Sequence, residues 1–390
     1  MMRSDLGADT VADTAAVRLS RPTVVGTVVK LLRVPEWTKN LFAFAPLLFS
    51  GQLLSPAAVW TVALVCGALC AISSSVYIMN DLLDMAKDRQ HPVKRHRPFA
   101  SGAVSPAAGV AIAISLVGVG YATLEAARVP RATSLLAIGF LILNAAYSLY
   151  LKRKVIADIL TIACGYVLRV LIGGAAIGVV VTHWLILCTF LLATYLGFSK
   201  RRHELALLGA KARHHRPVLT LYSEEFLDHV SLLTLAMTLT CYLLYTIAPE
   251  TVARFGTYDL VYSGLIVMFA LFRYLFLIHV KKMGSPVEVL YYDRQIVLAV
   301  VAWVLYVVLV IYTRPALIPP PVRRPQPFSA SCTGHRHQFC EGDVRRPGGG
   351  IPPPAWARQR RAPEDHASSY HGGSRRLSSM GSHRERQVGG

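Results

Sequence analysis

The chain has 390 residues, of which 53% are hydrophobic and only 16% charged, and its mean hydropathy of +0.43 excludes an ordinary soluble domain. The formal net charge of +19 raises a nucleic-acid partner, but the basic residues divide between loops beside apolar runs and a C-terminal tail, so no nucleic acid is needed.

Residues 1–22 are small and polar and are expected to form a disordered leader; they lack the apolar core of a cleavable secretory signal. Stretches near the length that crosses about 30 Å of hydrocarbon recur at 27–50, 58–79, 105–126, 131–150, 155–180, 184–199, 228–248, 258–280 and 295–313. Arg33, Glu36 and Lys39 interrupt the first, and the sixth is short. The expectation is an all-α polytopic membrane protein of about nine transmembrane helices, with one membrane domain over 23–313. From Arg314 the composition turns to Pro, Gly, Arg, Ser and His, so 314–390 reads as a disordered basic tail. An odd number of spans places that tail outside.

Loop charge orients the chain. The loops after the second, fourth, sixth and eighth spans carry seventeen Lys and Arg, against Arg128, Arg131 and Arg254 in the alternate loops. Basic loops stay in the cytoplasm, which predicts a cytoplasmic membrane protein whose helical hairpins form a ring open to that side. Cys66, Cys70, Cys164, Cys188 and Cys241 lie in apolar spans and read as small packing residues; Cys332 and Cys340 lie in the tail and do not make a zinc site.

The most informative segment ends the second span: Asn80-Asp81-Leu82-Leu83-Asp84-Met85-Ala86-Lys87-Asp88. On a helix Asp81, Asp84 and Asp88 share one face. Like charges that close repel unless a cation joins them, and Mg²⁺, which takes a few carboxylate oxygens and keeps waters or substrate phosphates, suits such a face of spaced aspartates. Arg89, Lys94, Arg95 and Arg97 follow at once, and acids beside bases point to Mg²⁺ with phosphate. The alternative is a salt-bridged loop serving topology alone.

Further candidates share that membrane face. Lys200-Arg201-Arg202-His203-Glu204 follows the sixth span, where Lys200 and Arg201 are natural anion partners and Glu204 stands one turn from Lys200. Asp158 and Arg169 begin and continue the fifth span near one helix face, and an arginine at that depth normally faces the bundle interior and marks function. Glu36-Trp37-Thr38-Lys39-Asn40 adds Lys39 and Asn40, and Arg153 stands in the loop before Asp158.

Residues 80–88 resemble the first Asp-rich motif of the UbiA superfamily of intramembrane prenyltransferases, Asn-Asp-x-x-Asp-x-x-x-Asp. More narrowly, Glu36 to Leu41, Asn80 to Pro98, Asp158 to Arg169 and Lys200 to Glu204 resemble the actinobacterial decaprenyl-phosphate phosphoribosyltransferase branch, over about residues 25–313. The resemblance implies a UbiA-like helical ring around a central cavity. It also implies Mg²⁺ and transfer of 5-phosphoribose from 5-phosphoribosyl 1-diphosphate to decaprenyl phosphate, a step toward cell-wall arabinan. The superfamily's second Asp-rich loop is replaced here by Lys200-Arg201-Arg202-His203-Glu204, which implies fewer metals and more anionic groups. On this reading Asp81 and Asp84 hold Mg²⁺ with Asn80 and Asp88 in support, Lys39, Arg95, Arg97, Lys200 and Arg201 bind phosphates, Arg169 or Arg153 neutralises a lipid or sugar phosphate, and Asp88 and Asp158 hold the ribose. A prenyl diphosphate:aromatic acceptor transferase and, from another class, an anionic-solute transporter are the competing readings, and a homo-oligomer is left open.

Overall fold

A computed structural model describes residues 24–90, 94–208, 217–280 and 286–313. The expected leader and tail, and His91, lie outside the described residues. The described chain is helical throughout: α1 (Val24–Leu32), a 3-10 segment (Val34–Phe44), α2 (Ala45–Phe49), α3 (Pro56–Arg89), α4 (Pro106–Ala126), α5 (Arg131–Leu149), α6 (Ala157–Ala176), α7 (His183–Leu208), α8 (Glu224–Ile247), α9 (Pro249–Phe255), α10 (Ser263–His279), α11 (Pro286–Tyr292) and α12 (Arg294–Tyr312).

Local sequence sets the starts of these helices. Ser55 and Ser105 accept from the backbone N–H groups of Ala58 and Ala108, and each precedes a proline at the first helical position. Ser223 caps α8 through Phe226 N, and Asp293 caps α12 through Ile296 N at 2.9 Å. Each cap satisfies a backbone donor that would otherwise be orphaned at the helix end.

Seven helices among the described residues are long and apolar enough to cross a membrane, and the chain is a multi-pass membrane protein. Two expected spans differ from these seven. The sixth falls within α7, a longer helix whose C-terminal turns carry Lys200 to Glu204. The first is not one helix: α1 ends at Leu32, Arg33 takes a left-handed backbone conformation (φ 50°), and eleven residues of 3-10 helix lead into α2. Charges at 33, 36 and 39 disfavour a continuous lipid-facing helix, and non-helical backbone at membrane depth is tolerated only where protein covers it.

The segment is covered by α3 and α6, which are also the most interior spans. Of the apolar stretch of α6, 56% is buried, against 22% for α4, α5 and α12. Without water to drive association, helices approach where residues are small. A Cβ on Gly120 would strike Ile72 of α3, one on Gly197 would strike Ile159 of α6, and one on Gly173 would run into the carbonyl oxygen of Ala43. Val65, Leu69 and Ile72 of α3 meet Phe140 of α5 and Ile172 of α6 in one apolar core. A second core joins Tyr195, Leu235, Leu271 and Tyr274 from α7, α8 and α10.

Candidate active site at one end of the bundle

α3 has 34 residues, about 51 Å of helix at 1.5 Å per residue, so it outruns a hydrocarbon layer of about 30 Å. The acids predicted on one helix face stand on its last three turns. Asp81 and Asp88 are buried, each 4% exposed. Arg97, from the loop after α3, donates to Asp81 at 3.0 Å and to Asp88 at 2.7 Å, so these two acids do share a face. Arg33 forms a second ion pair with Asp81 and lies over the Tyr77 ring. Lys152, from the α5–α6 loop, donates to both oxygens of Asp84 at 3.0 and 2.9 Å and to the Asn80 side-chain oxygen at 3.3 Å.

The acids thus face cations rather than one another. Among the described residues no group of three or more His, Cys, Asp or Glu side chains converges as a metal cluster. The donor set still fits Mg²⁺. Asp81 and Asp84 are hard oxygen donors one turn apart, and the cations opposite them are of the kind that bind phosphate oxygens once a divalent ion takes the carboxylates.

The other predicted residues fall into three groups. Lys39 pairs with Glu36 on the 3-10 segment. Lys200 stands just beyond the apolar stretch of α7; burial pushes its ammonium down to about 8, and the like charge of Lys39 adds to the effect. Lys200 couples electrostatically to Lys39, Glu204 and Glu36.

Arg201 is 3% exposed and committed to protein. It donates to Asp158 at 2.9 Å and to Glu204 at 2.9 Å, and Asp158, fully buried, also accepts from Tyr222 at 3.0 Å. Tyr222 in turn accepts from the N–H of Ile156, a β-branched residue at φ 66°. This lock ties α6 to α7, so Arg201, Glu204 and Asp158 are engaged with one another rather than displayed to an anion.

Asn40 and Arg169 meet deeper in the bundle, with Arg169 Nε donating to the Asn40 side-chain oxygen at 2.8 Å. Asp158 and Arg169 both face the bundle interior, at 0% and 7% exposure, but they meet different partners, Arg201 and Asn40. Arg89, Arg95 and Arg153 are exposed; Arg89 contacts Met85, Arg95 contacts His96, and neither reaches the acids. Lys94, in a short 3-10 turn, is half-buried.

Three residues of this site escaped sequence reading: Arg33, Lys152 and Tyr222. Arg33 and Lys152 had been counted as a span interruption and as loop charge, and position alone did not show which acid each meets. Tyr222 carries no local signal at all.

The UbiA prenyltransferase family matches residues 41–292. Decaprenyl-phosphate phosphoribosyltransferase of Corynebacterium glutamicum is 27% identical over 293 residues, covering 74% of this chain and 87% of that protein. The protein of the same name from Mycolicibacterium smegmatis is 28% identical over 298 residues, covering 72% and 91%. Among solved structures, a UbiA homolog from Archaeoglobus fulgidus bound to GPP and Mg²⁺ superposes with a TM-score of 0.55 at 19% identity, covering 73% of this chain and 99% of that one. With a family match spanning well over half its length, the chain belongs to the UbiA prenyltransferase family.

Proposed function

We propose that the chain transfers 5-phosphoribose from 5-phosphoribosyl 1-diphosphate to decaprenyl phosphate or a similar polyprenyl phosphate, as a pentosyltransferase of the cytoplasmic membrane. The observation that carries this reading is the likeness, over nearly three quarters of the chain, to two proteins named for that reaction. The charge inventory of the site supports it. Arg33, Arg97 and Lys152 pair with Asp81 and Asp84, and Lys39 and Lys200, which couple to one another, add two further cations, more than a diphosphate with a neutral aromatic acceptor requires.

In the reaction an oxygen of the lipid phosphate attacks the anomeric carbon, the bond from that carbon to the diphosphate oxygen breaks, and diphosphate leaves. Asp81 and Asp84 would hold Mg²⁺, with Asn80 and Asp88 beside them; bound there, it would act as a Lewis acid on the diphosphate. Arg97 and Lys152 bind phosphate oxygens and neutralise the charge that builds on the leaving group. Lys39 and Lys200 serve the remaining phosphates. No side chain need act as general base, because a phosphate monoester is already anionic at neutral pH. Catalysis then rests on positioning and on charge neutralisation.

The test is diphosphate release from 5-phosphoribosyl 1-diphosphate by detergent-purified protein with Mg²⁺, with and without decaprenyl phosphate, beside Asp81→Asn and Asp84→Asn. Release that depends on the lipid and on Mg²⁺ and is lost in both variants supports the reading. Turnover instead of a prenyl diphosphate with an aromatic acid would replace it.

A further inference from the structure

The 3-10 segment Val34–Phe44 is several times longer than the three or four residues such helices usually reach. With three residues per turn, side chains at i and i+3 eclipse one another, so the segment sorts its residues into stripes. Trp37, Asn40 and Ala43 form one stripe, and each member touches the interior helices. Trp37 Nε1 donates to Ser74 of α3 at 3.0 Å, and Ser74 donates to the Leu32 carbonyl at 2.9 Å. Ala43 lies against Gly173 of α6, where no Cβ fits. Asn40, fully buried, accepts from Arg169 at 2.8 Å and from Ser73 at 3.3 Å, and donates to Cys70 Sγ at 3.3 Å. The neighbouring stripe carries Glu36 and Lys39, which pair with each other, and Arg33, immediately before the segment, pairs with Asp81.

Arg169 is itself held on several sides. Nη1 donates to the Gly165 carbonyl at 2.8 Å, and its guanidinium lies over the rings of Phe140 at 4.6 Å and Tyr166 at 5.5 Å. Its hydrogen-bond partners are neutral oxygens, and it is spent on holding a backbone segment.

We infer that Asn40 and Arg169 are positioning residues: the pair clamps the 3-10 segment to α6 and thereby aims Arg33 and Lys39 at the diphosphate site, without either residue touching substrate. The inference rests on the proposed function for the identity of the substrate and extends it by taking Asn40 and Arg169 out of the substrate-binding set. A clamp and a direct contact differ in how their substitutions combine. Two residues that act as one unit lose the whole effect with either partner, whereas independent ligand contacts add.

The experiment measures diphosphate binding in Mg²⁺ by calorimetry on Asn40→Leu, Arg169→Met, the double variant and Asn40→Asp, alongside KM and kcat. Each single variant is expected to weaken diphosphate binding by about tenfold or more, since displacing a binding group by about 1 Å suffices for that. The double variant is expected to be no worse than the singles. Asn40→Asp, which keeps an acceptor for Arg169, is expected to restore binding to within a few-fold of wild type and shows that the fold survives. The inference is overturned if Arg169→Met weakens binding while Asn40→Leu does not, or if the two effects multiply. Diphosphate binding with no transfer from 5-phosphoribosyl 1-diphosphate would defeat the proposed reaction and still leave the clamp measurable.

Discussion

Arg97 holds two buried carboxylates at once, and among the described residues its loss would leave Asp88 without an ion pair and Asp81 with Arg33 alone. Removing one partner of a buried pair costs more than the pair contributes, because the remaining charge stays desolvated. Arg97 is 28% exposed, which lowers the cost, and we expect Arg97→Ala to destabilise by about 2 kcal/mol. Adding Asp88→Asn should recover part of this, read as the melting temperature in detergent. Lys200 makes a pH prediction. Its ammonium, pushed down to about 8 by burial, is charged below that pH and neutral above it. If it binds a substrate phosphate, the KM for the diphosphate substrate should rise as pH passes from 7.5 to 9, and the kcat/KM profile should lose that limb in Lys200→Arg, since arginine stays charged throughout. At this scale residue types were legible and pairings were not. The acids of α3 announced themselves by spacing. That Lys152 rather than Arg153 meets Asp84 depends on how the α5–α6 loop turns, which loop composition does not encode.

Among the elements, the 3-10 segment is the one that hydropathy misreads, because a window average counts Arg33, Glu36 and Lys39 as flaws in a helix rather than as the reason for another winding. Caps were legible where Ser or Asp precedes the first turn, as at Ser55, Ser105, Ser223 and Asp293. The close approach at Gly173 was not, since it needs the position of a backbone 130 residues earlier in the chain. Gly173→Ala should therefore push Ala43 away from α6. We expect a loss of about 1–3 kcal/mol from overpacking, together with weaker diphosphate binding, whereas alanine at Gly67, which meets no neighbour, should leave both unchanged. The packing of α7 on α8 has its own check. Cys188 and Cys241 bring their sulfurs to 3.5 Å, so oxidation by dioxygen with copper-phenanthroline as catalyst should join them within one chain, removing both from alkylation while Cys164 stays reactive.

For the molecule as a whole, the ion pairs establish which loops share an end. Lys152 of the α5–α6 loop meets Asp84 near the end of α3; Asp158, at the start of α6, meets Arg201 late in α7; and Arg202 meets Asp228 early in α8. These contacts gather the α3–α4, α5–α6 and α7–α8 connections at one end of the bundle, and they are the connections in which the sequence concentrates Lys and Arg. Charge counting finds this because insertion acts on the sum of loop charges rather than on any pairing. The same sum predicts that the end bearing Asp81, Asp84 and Asp88 faces the cytoplasm. Arg131, the first residue of α5, and Arg153, in the loop after its other end, are both exposed. In a background stripped of native cysteines, Arg131→Cys should react with a membrane-impermeant maleimide added to intact cells, and Arg153→Cys only after the membrane is opened. The reverse pattern would put the acids on the outer face, away from any cytoplasmic supply of a phosphorylated sugar diphosphate, and would remove the proposed substrate while leaving the fold as described.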